Sequence, residues 1–387
     1  MTRRRAPRDQ AGRSDGSEPG LPEERGATAG EAPPPEGSRP SGGGPPSRLR
    51  DVARVAGVSL PTASQALNGH ARISTATRRR VQQAARQLHY TPNAAARRLI
   101  LGRSDSVAIV PGLNMTGIFS DLFYRAVLTG VGSVFEQVGY RMLIAPPLHP
   151  DERAPQFVRM AQGREIDGAI VVGVVDRRWI LEATDSGVPV VLLDNDLPDL
   201  PVPAVVNDNA GGAYAATRHL AALGHTRIAF LGAAVDYAFG RETHSGYTRA
   251  LRDAGVPRDP ELEILVRIDA DAARREAEAF FTLSHPPTAV FAVTDILALG
   301  VINAARERGL RIPRDLSVVG MDDIELAAVT DPPLTTVRIP KEKMGQRAAR
   351  ILLDLVRGRA AEQKTTVFPN TLIQRGTTGG YHERCSG

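Results

Sequence analysis

The chain has 387 residues, 42% of them hydrophobic, which is too long for one ordinary core and apolar enough to build two or three domains. No apolar run approaches the ~20 residues a membrane span requires, and no apolar segment follows the Arg-rich start, so neither a membrane protein nor a secreted one is expected. A single cysteine, Cys385, leaves no internal disulfide and fits a cytoplasmic protein, while the net charge of +5 acquires meaning only from where the charges lie.

Residues 1–47 hold seven arginines and seven acids among Pro, Gly and Ser, with Leu21 the one large apolar residue after Met1. Such a segment buries too little surface to offset its chain entropy and is expected to be a disordered tail. Residues 48–103 then carry 11 arginines and one aspartate, whereas the remainder of the chain holds 30 basic against 35 acidic residues. A basic module on an acidic body is the pattern of a protein in which one part touches phosphate and the other does not.

Within the basic module, Val52, Ala53 and Ala56 form a short apolar-periodic segment that ends at Gly57. Ser59 stands where a helix N-cap belongs, and a second helix is expected from Leu60 to about Asn68, with Ala63, Ala66 and Leu67 on one face. Ser74 caps a third, in which Val81, Ala84, Ala85 and Leu88 recur at helical spacing. Two short helices joined by a tight Gly-containing turn and crossed by a third make the helix-turn-helix plan, whose second helix enters the DNA major groove. On that plan Leu60, Pro61 and Gln65 face the bases. Gln65 suits adenine, Leu60 offers apolar contact, for instance to a thymine methyl, and Pro61 is tolerated in a first turn. Ser59, Thr62, Ser64, Asn68, Ser74, Thr77 and Tyr90 are the candidate phosphate contacts. Ser59 and Ser74 are expected to be caps whether or not DNA is bound.

Pro92 and the alanines that follow, Thr91 to Leu99, give a segment with high helix propensity but too few residues to be stable alone. From Ser106 onward strand-like runs alternate with helical patterns. The strands expected are Val107–Val110, Arg141–Ala145, Gly168–Val172, Val188–Leu193, Val205–Asn207, Arg227–Gly232, Glu263–Val266, Ala289–Val293 and Leu316–Gly320. Helices are expected at Leu122–Gln137, Ala210–Leu223, Arg241–Ala254, Ala272–Leu283 and Asp295–Arg308. This is the parallel α/β pattern, and that many strands suggest two doubly wound sheets with a ligand cleft at their strand ends.

The ordered set DVARVAGVS, S..T.S..LNG, Y.PNAAARRL, DGAIVV, GVPVVLLD, LGHTRIAFLG, TDILALG, IPRDLSVVGMDDIELA and PPLTTVRIP resembles the lac repressor family of bacterial transcription regulators. The resemblance runs through nearly all of 48–378. It implies an all-α helix-turn-helix domain (48–91), a hinge helix and linker (92–103), and a periplasmic-binding-protein-like α/β sensor (104–378). Two doubly wound parallel-sheet lobes make up the sensor, an N-lobe of 104–206 and 338–368 and a C-lobe of 207–337 and 369–378, followed by a loose tail from 379. It also implies a homodimer, with higher assembly left open, on double-stranded operator DNA. In the hinge, Asn93 and Ala96 would meet the minor groove and Leu99 would wedge into it. Asp194, Arg241 and Asp322, with Thr294 where many members have Asn, match positions at which members hold a sugar-like effector. Asp295 is read as both helix cap and ligand contact.

No Gly-rich phosphate loop, metal-spaced His/Cys set or nucleophile elbow occurs in the sequence, so neither an enzyme nor a cofactor or metal is expected. His225, between a helix and a strand, is expected to be structural.

Overall fold

A computed structural model describes residues 47–68, 72–90, 103–112, 115–146, 155–173, 176–234 and 238–381. It divides into two compact units at Thr91/Pro92. The hinge candidates Asn93, Ala96 and Leu99 lie outside the described residues, as does the 1–46 tail.

In the first unit, α1 (Leu49–Val55), α2 (Leu60–Leu67) and α3 (Thr75–Gln87) enclose a core of Val52, Ala53, Ala56, Ala63, Ala66, Val81, Ala84 and Ala85. Small side chains let three short helices approach closely, and Leu49, Val58, Leu67, Ile73, Leu88 and Tyr90 seal the margins. Each helix start is held by its own chemistry. Asp51 accepts from the Arg48 amide at 2.9 Å, Ser59 from the Thr62 amide at 3.3 Å and Ser74 from the Thr77 amide at 3.2 Å. Ser47 donates to the Leu88 carbonyl at 2.8 Å, tying the start of the unit to the end of α3.

The second unit continues with β1 (Ser106–Pro111), α4 (Met115–Ser120), α5 (Leu122–Val138), β2 (Arg141–Ile144), α6 (Gln156–Gln162), β3 (Ala169–Val172), α7 (Arg177–Asp185), β4 (Val190–Leu193) and β5 (Ala204–Asn207). Then come α8 (Asn209–Ala222), β6 (Ile228–Ala233), α9 (Ala238–Asp253), β7 (Glu263–Val266), α10 (Ala270–Phe281), β8 (Ala289–Ala292), α11 (Asp295–Glu307) and β9 (Ser317–Asp322). The unit closes with β10 (Thr335–Arg338), α12 (Lys341–Val356), β11 (Thr365–Phe368) and β12 (Thr371–Ile373). Two six-stranded sheets result, ordered β11-β5-β4-β3-β1-β2 and β12-β10-β9-β8-β6-β7. All pairs are parallel except β10–β12, which is antiparallel. β1, β3, β4, β6, β8 and β9 are buried along their whole length, because helices cover both faces of each sheet.

The chain crosses between sheets after β5, after β10 and between β11 and β12. Asn370, in the last crossing, donates from Nδ2 to Asn207 Oδ1 and to the Asp208 carbonyl, both at 2.9 Å, and so stitches the last crossing to the first. Sequence periodicity locates β1 to β9 but not β10, β11 or β12. It also passes over α12, whose Lys341, Lys343, Arg347 and Arg350 dilute the apolar stripe.

Three helix pairs close through glycine. A Cβ at Gly345 would overlap the Val127 carbonyl oxygen of α5, one at Gly246 that of Ala210 in α8, and one at Gly300 that of Ala270 in α10. Gly379–Tyr381, expected to be loose, are held instead. Tyr381 N donates to Leu223 O at 2.8 Å, and the His225 Nε2 bonds the Gly379 carbonyl at 3.1 Å. A carbonyl can only accept, so Nε2 carries the proton and Nδ1 accepts from Thr288 at 2.9 Å; burial lowers the ring's pKa from its ordinary value. Gly345→Ala is expected to lower unfolding stability by roughly 1–3 kcal/mol, read from the urea midpoint; an unchanged midpoint would mean that α5 and α12 part without cost.

Candidate functional site

The exposed face of α2 carries Leu60 (49% exposed), Pro61 and Gln65, while Ala63 and Ala66 of the same helix are buried. Leu60, Pro61 and Gln65 therefore lie on one side by helical spacing alone. The Ser59 and Thr62 hydroxyls pair at 2.8 Å, and those of Ser74 and Thr77 at 2.9 Å. In each pair one hydroxyl donates to the other, which leaves one O–H per pair to offer a phosphate oxygen. Ser64 accepts weakly from Asn68 at 3.5 Å. Tyr90 is half-buried against the core. Arg48, Arg50, Arg54, Arg72, Arg79, Arg80 and Arg86 are exposed elsewhere on the unit, which gives it a positive field.

In the second unit a cavity of about 550 Å³ lies between the two sheets, walled by the carboxyl ends of their strands. Asp194 follows β4, Thr294 follows β8 and Asp322 ends β9, and all three line it. Asp194 and Asp322 have φ of 60° and 119°, and Asp323 has 53°. Non-glycine residues rarely occupy this half of the map, and such strain concentrates at binding sites. Aromatic walls come from Phe123, Tyr124 and Phe239.

Burial dominates the electrostatics. It pushes the Asp194 carboxyl up to about 7; the Tyr124 hydroxyl, donating at 3.0 Å, pulls the other way, while Asp121 and Glu242 add to the rise. Burial and the neighbouring Asp295 hold Asp322 well above the ordinary range, against the pull of Lys341. Asp121, the N-cap of α5, is raised by burial as well. Asp323 behaves oppositely: burial opposes its charge, but Arg375 at 2.5 Å and Arg338 at 2.6 Å hold it below the usual carboxylate range. Lys341 is buried at the start of α12 and donates to the carbonyl oxygens of Asp322 and Asp323, the latter at 3.2 Å. It thereby ties the first residue of the returning helix to a strand end of the other sheet.

Residues 48–93 match the family described as bacterial regulatory proteins, lacI family, and residues 217–378 match the periplasmic binding protein-like domain. The chain is 32% identical over 331 residues to the transcriptional repressor PurR of Vibrio atlanticus, covering 85% of this chain and 98% of that one. The chain belongs to the LacI family. It is also 31% identical to the transcriptional repressor CytR of Escherichia coli over 332 residues, 85% of this chain and 96% of that one. Among solved structures, the lac repressor dimer bound to operator and the anti-inducer ONPF aligns with a TM-score of 0.75 at 26% identity, covering 86% of this chain and 99% of that one. The complex of the regulator CelR with cellobiose aligns at 0.64 and 31%, covering 86% and 99%. This LacI-family chain is a DNA-binding regulator, not an enzyme, and no described helix is long and apolar enough to cross a membrane.

Of the residues that family spacing placed around an effector, the structure brings Asp194, Thr294 and Asp322 together and leaves Arg241 outside the cavity wall. Arg241 is exposed on α9, two positions after the lining residue Phe239 and so about 200° further round the helix. Asp295 does not line the cavity either. Its carboxylate accepts from the Ile324 amide at 2.8 Å and from the Thr336 hydroxyl, so it braces β9 and β10. Thr294 caps α11, accepting from the Leu297 amide at 3.2 Å. Sequence reasoning missed Asp121, Tyr124, Asn209 and Arg267 in the wall. A usable signal existed for Asp121, a good N-cap immediately before a helix whose start was expected at Leu122.

The Asp194 carboxyl sits near 7 against an ordinary 3.8, so between those values the folded chain holds its proton more tightly than the unfolded one. Its contribution to stability therefore falls as pH rises from about 4 to about 7 and is level above that. Asp194→Asn keeps an acceptor for Tyr124. It is expected to raise the melting temperature of the ligand-free protein at pH 8 and to leave it near wild type at pH 4. Equal shifts at both pH values in scanning calorimetry would show that the carboxylate is well solvated.

Proposed function

We propose that this LacI-family regulator is a homodimeric repressor of the bacterial cytoplasm. It binds a near-palindromic operator in double-stranded DNA, and a sugar-like small molecule in the cleft changes its operator affinity. The observation that carries the reading is the cleft itself: Asp194, Thr294 and Asp322 converge at strand ends on a chain whose other unit exposes Leu60, Pro61 and Gln65. Carboxylates beside aromatic walls suit ligand hydroxyl groups. Arg241 would join them only if the start of α9 turned toward the cleft.

Each protomer reads one half-site through Leu60, Pro61 and Gln65, with Ser59, Thr62, Ser64, Asn68, Ser74, Thr77 and Tyr90 toward the backbone. Two-fold symmetry sets the half-site spacing. The proposed division is a tail at 1–47, the reading domain at 48–91, the hinge at 92–103 and the sensor at 104–378. In the hinge, Asn93 and Ala96 approach the minor groove and Leu99 enters the central step as an apolar wedge. No cofactor or metal takes part. Relatives support the reading: one solved structure holds operator DNA and a small molecule together, and another holds cellobiose.

The decisive measurement is gel-shift binding to the DNA upstream of the chain's own gene across a salt series. A specific complex that weakens steeply with salt is expected, and the absence of either property would sink the regulator reading. Leu99→Ala is expected to weaken operator binding by about tenfold or more and to leave effector affinity unchanged; equal operator binding would remove the wedge from the mechanism.

A further inference from the structure

Asp322 reaches the cavity wall on a costly backbone. Its φ is 119° and that of Asp323 is 53°, two successive non-glycine residues in the half of the map that side chains avoid. The segment from Asp322 to Ile324 is held group by group. The Asp323 carboxylate lies 2.6 Å from Arg338 and 2.5 Å from Arg375. The Asp323 amide donates to the Thr336 hydroxyl at 3.4 Å, and the Ile324 amide to the Asp295 carboxylate at 2.8 Å. Thr336 and Arg338 belong to β10, Arg375 follows β12 and Asp295 opens α11, so all four stand in the lobe of the second sheet. The carbonyl oxygens of Asp322 and Asp323 differ in this respect. Both accept from the Lys341 ammonium, the latter at 3.2 Å. Lys341 is the first residue of α12, which packs on α5 and on β3, β4 and β5 of the first sheet. Among the described residues, it is the one side chain of the other lobe that bonds this segment.

Lys341 is buried, so its ammonium has little water to turn to, and parting it from the two carbonyls leaves all three groups short of partners. A charged donor on successive carbonyl oxygens fixes the turn that aims the Asp322 side chain, and it offsets the strain of that turn. Resting on the effector reading above, we infer that Lys341 is a positioning residue for the cleft: its grip on the Asp322 and Asp323 carbonyl oxygens keeps the Asp322 carboxyl in the wall and makes that carboxyl follow α12. Lys341 itself does not line the cavity. The neighbour of α12, helix α5, brings wall residues of its own, Tyr124 and the cap Asp121. The tie therefore sets the two halves of the wall in register, Asp322 from one lobe against Asp121 and Tyr124 from the other. Lys341 also bears on the charge of the site. Burial raises the Asp322, Asp295 and Asp121 carboxyls, and the ammonium pulls against the rise in all three. Without it the strained turn loses its hold from the first lobe, and the carboxyl is free to leave the wall.

The test compares three variants of the full chain with wild type. Lys341→Met keeps the stem but has neither donor nor charge, and Lys341→Arg keeps both. Leu353→Ala removes a buried side chain of α12 twelve residues on, about 18 Å along the helix, and serves as the control for lost stability. Titration calorimetry uses D-glucose, D-ribose, cellobiose and adenosine as probes. The probe that binds wild type is expected to bind Lys341→Met about tenfold more weakly or worse, and Lys341→Arg and Leu353→Ala within about threefold of wild type. Hydrogen exchange of the empty chain needs no ligand. The Asp323 and Ile324 amides are expected to exchange about tenfold faster in Lys341→Met and at the wild-type rate in Leu353→Ala. A Lys341→Met variant, folded by its melting curve, with wild-type affinity or wild-type exchange at these amides overturns the inference. So does a loss of affinity in Leu353→Ala as large as in Lys341→Met, which would make the effect one of stability, or a folded Lys341→Arg no better than Lys341→Met. Failure of all four probes to bind wild type counts against the sugar-like effector reading instead, and the exchange rates then decide whether Lys341 holds Asp322.

Discussion

Parallel strand order is the constraint on which the sensor unit depends. Every strand of the first sheet, and every strand of the second except β12, delivers its carboxyl end to one edge. The chain leaves β5, β10 and β11 from those same ends to reach the other sheet. The two edges must therefore face each other, and the residues that follow the strands become the walls of the cavity between them. Asn370 stitching the first crossing to the last, and Lys341 reaching from α12 to the end of β9, are consequences of that geometry. Three crossings, two of them stitched together by Asn370, form the junction between the sheets.

The same geometry explains why carboxylates in this cleft are held far from their ordinary behaviour. A strand end buried between two lobes offers little water, so Asp194 and Asp322 carry the cost of desolvation with few donors to relieve it. Next door, Asp323 is drawn the other way by Arg338 and Arg375, and Asp295 is satisfied by Thr336 and the Ile324 amide. Neighbouring acids at the ends of β8 and β9 thus divide the work. Asp323 and Asp295 hold the junction, and Asp322 faces the cavity. Asp322 thus faces the cavity on a strained backbone, beside a neighbour anchored by two ion pairs.

Much of this architecture was legible in the sequence. Strands buried on both faces read as continuous apolar runs, so the inner strands could be placed to within a residue or two, and Ser59 and Ser74 announced their helices through cap chemistry that acts locally. The short crossing strands could not be read that way. β10, β11 and β12 are partners in a register set by chain segments far away in sequence, and nothing local distinguishes Thr365–Phe368 from a loop. The site divides along the same line. Asp194 and Asp322 were visible because each ends an apolar run. Arg241, placed by its distance from Gly246 in sequence, stands outside the wall in this arrangement of α9. Arg267 enters the wall only through tertiary packing, whereas Asp121 carried a local mark as the cap of α5.

Coupling between the cleft and the DNA-reading unit, as proposed, requires free energy to pass from one to the other. Effector binding supplies such energy only through contacts that differ between two arrangements of the lobes. The groups placed to feel that difference are those spanning the junction, among them the Lys341 tie and the exposed Arg125–Glu325 pair, 2.8 Å apart between α5 and the segment after β9. An exposed ion pair is worth under about 1 kcal/mol and breaks readily. A buried ammonium bonded to two carbonyls does not, since parting it from them leaves all three groups short of partners. On the proposed mechanism the surface pair therefore sets how easily the cleft opens, and Lys341 sets the pivot. Because coupling is reciprocal, operator DNA then changes effector affinity by the same factor by which the effector changes operator affinity.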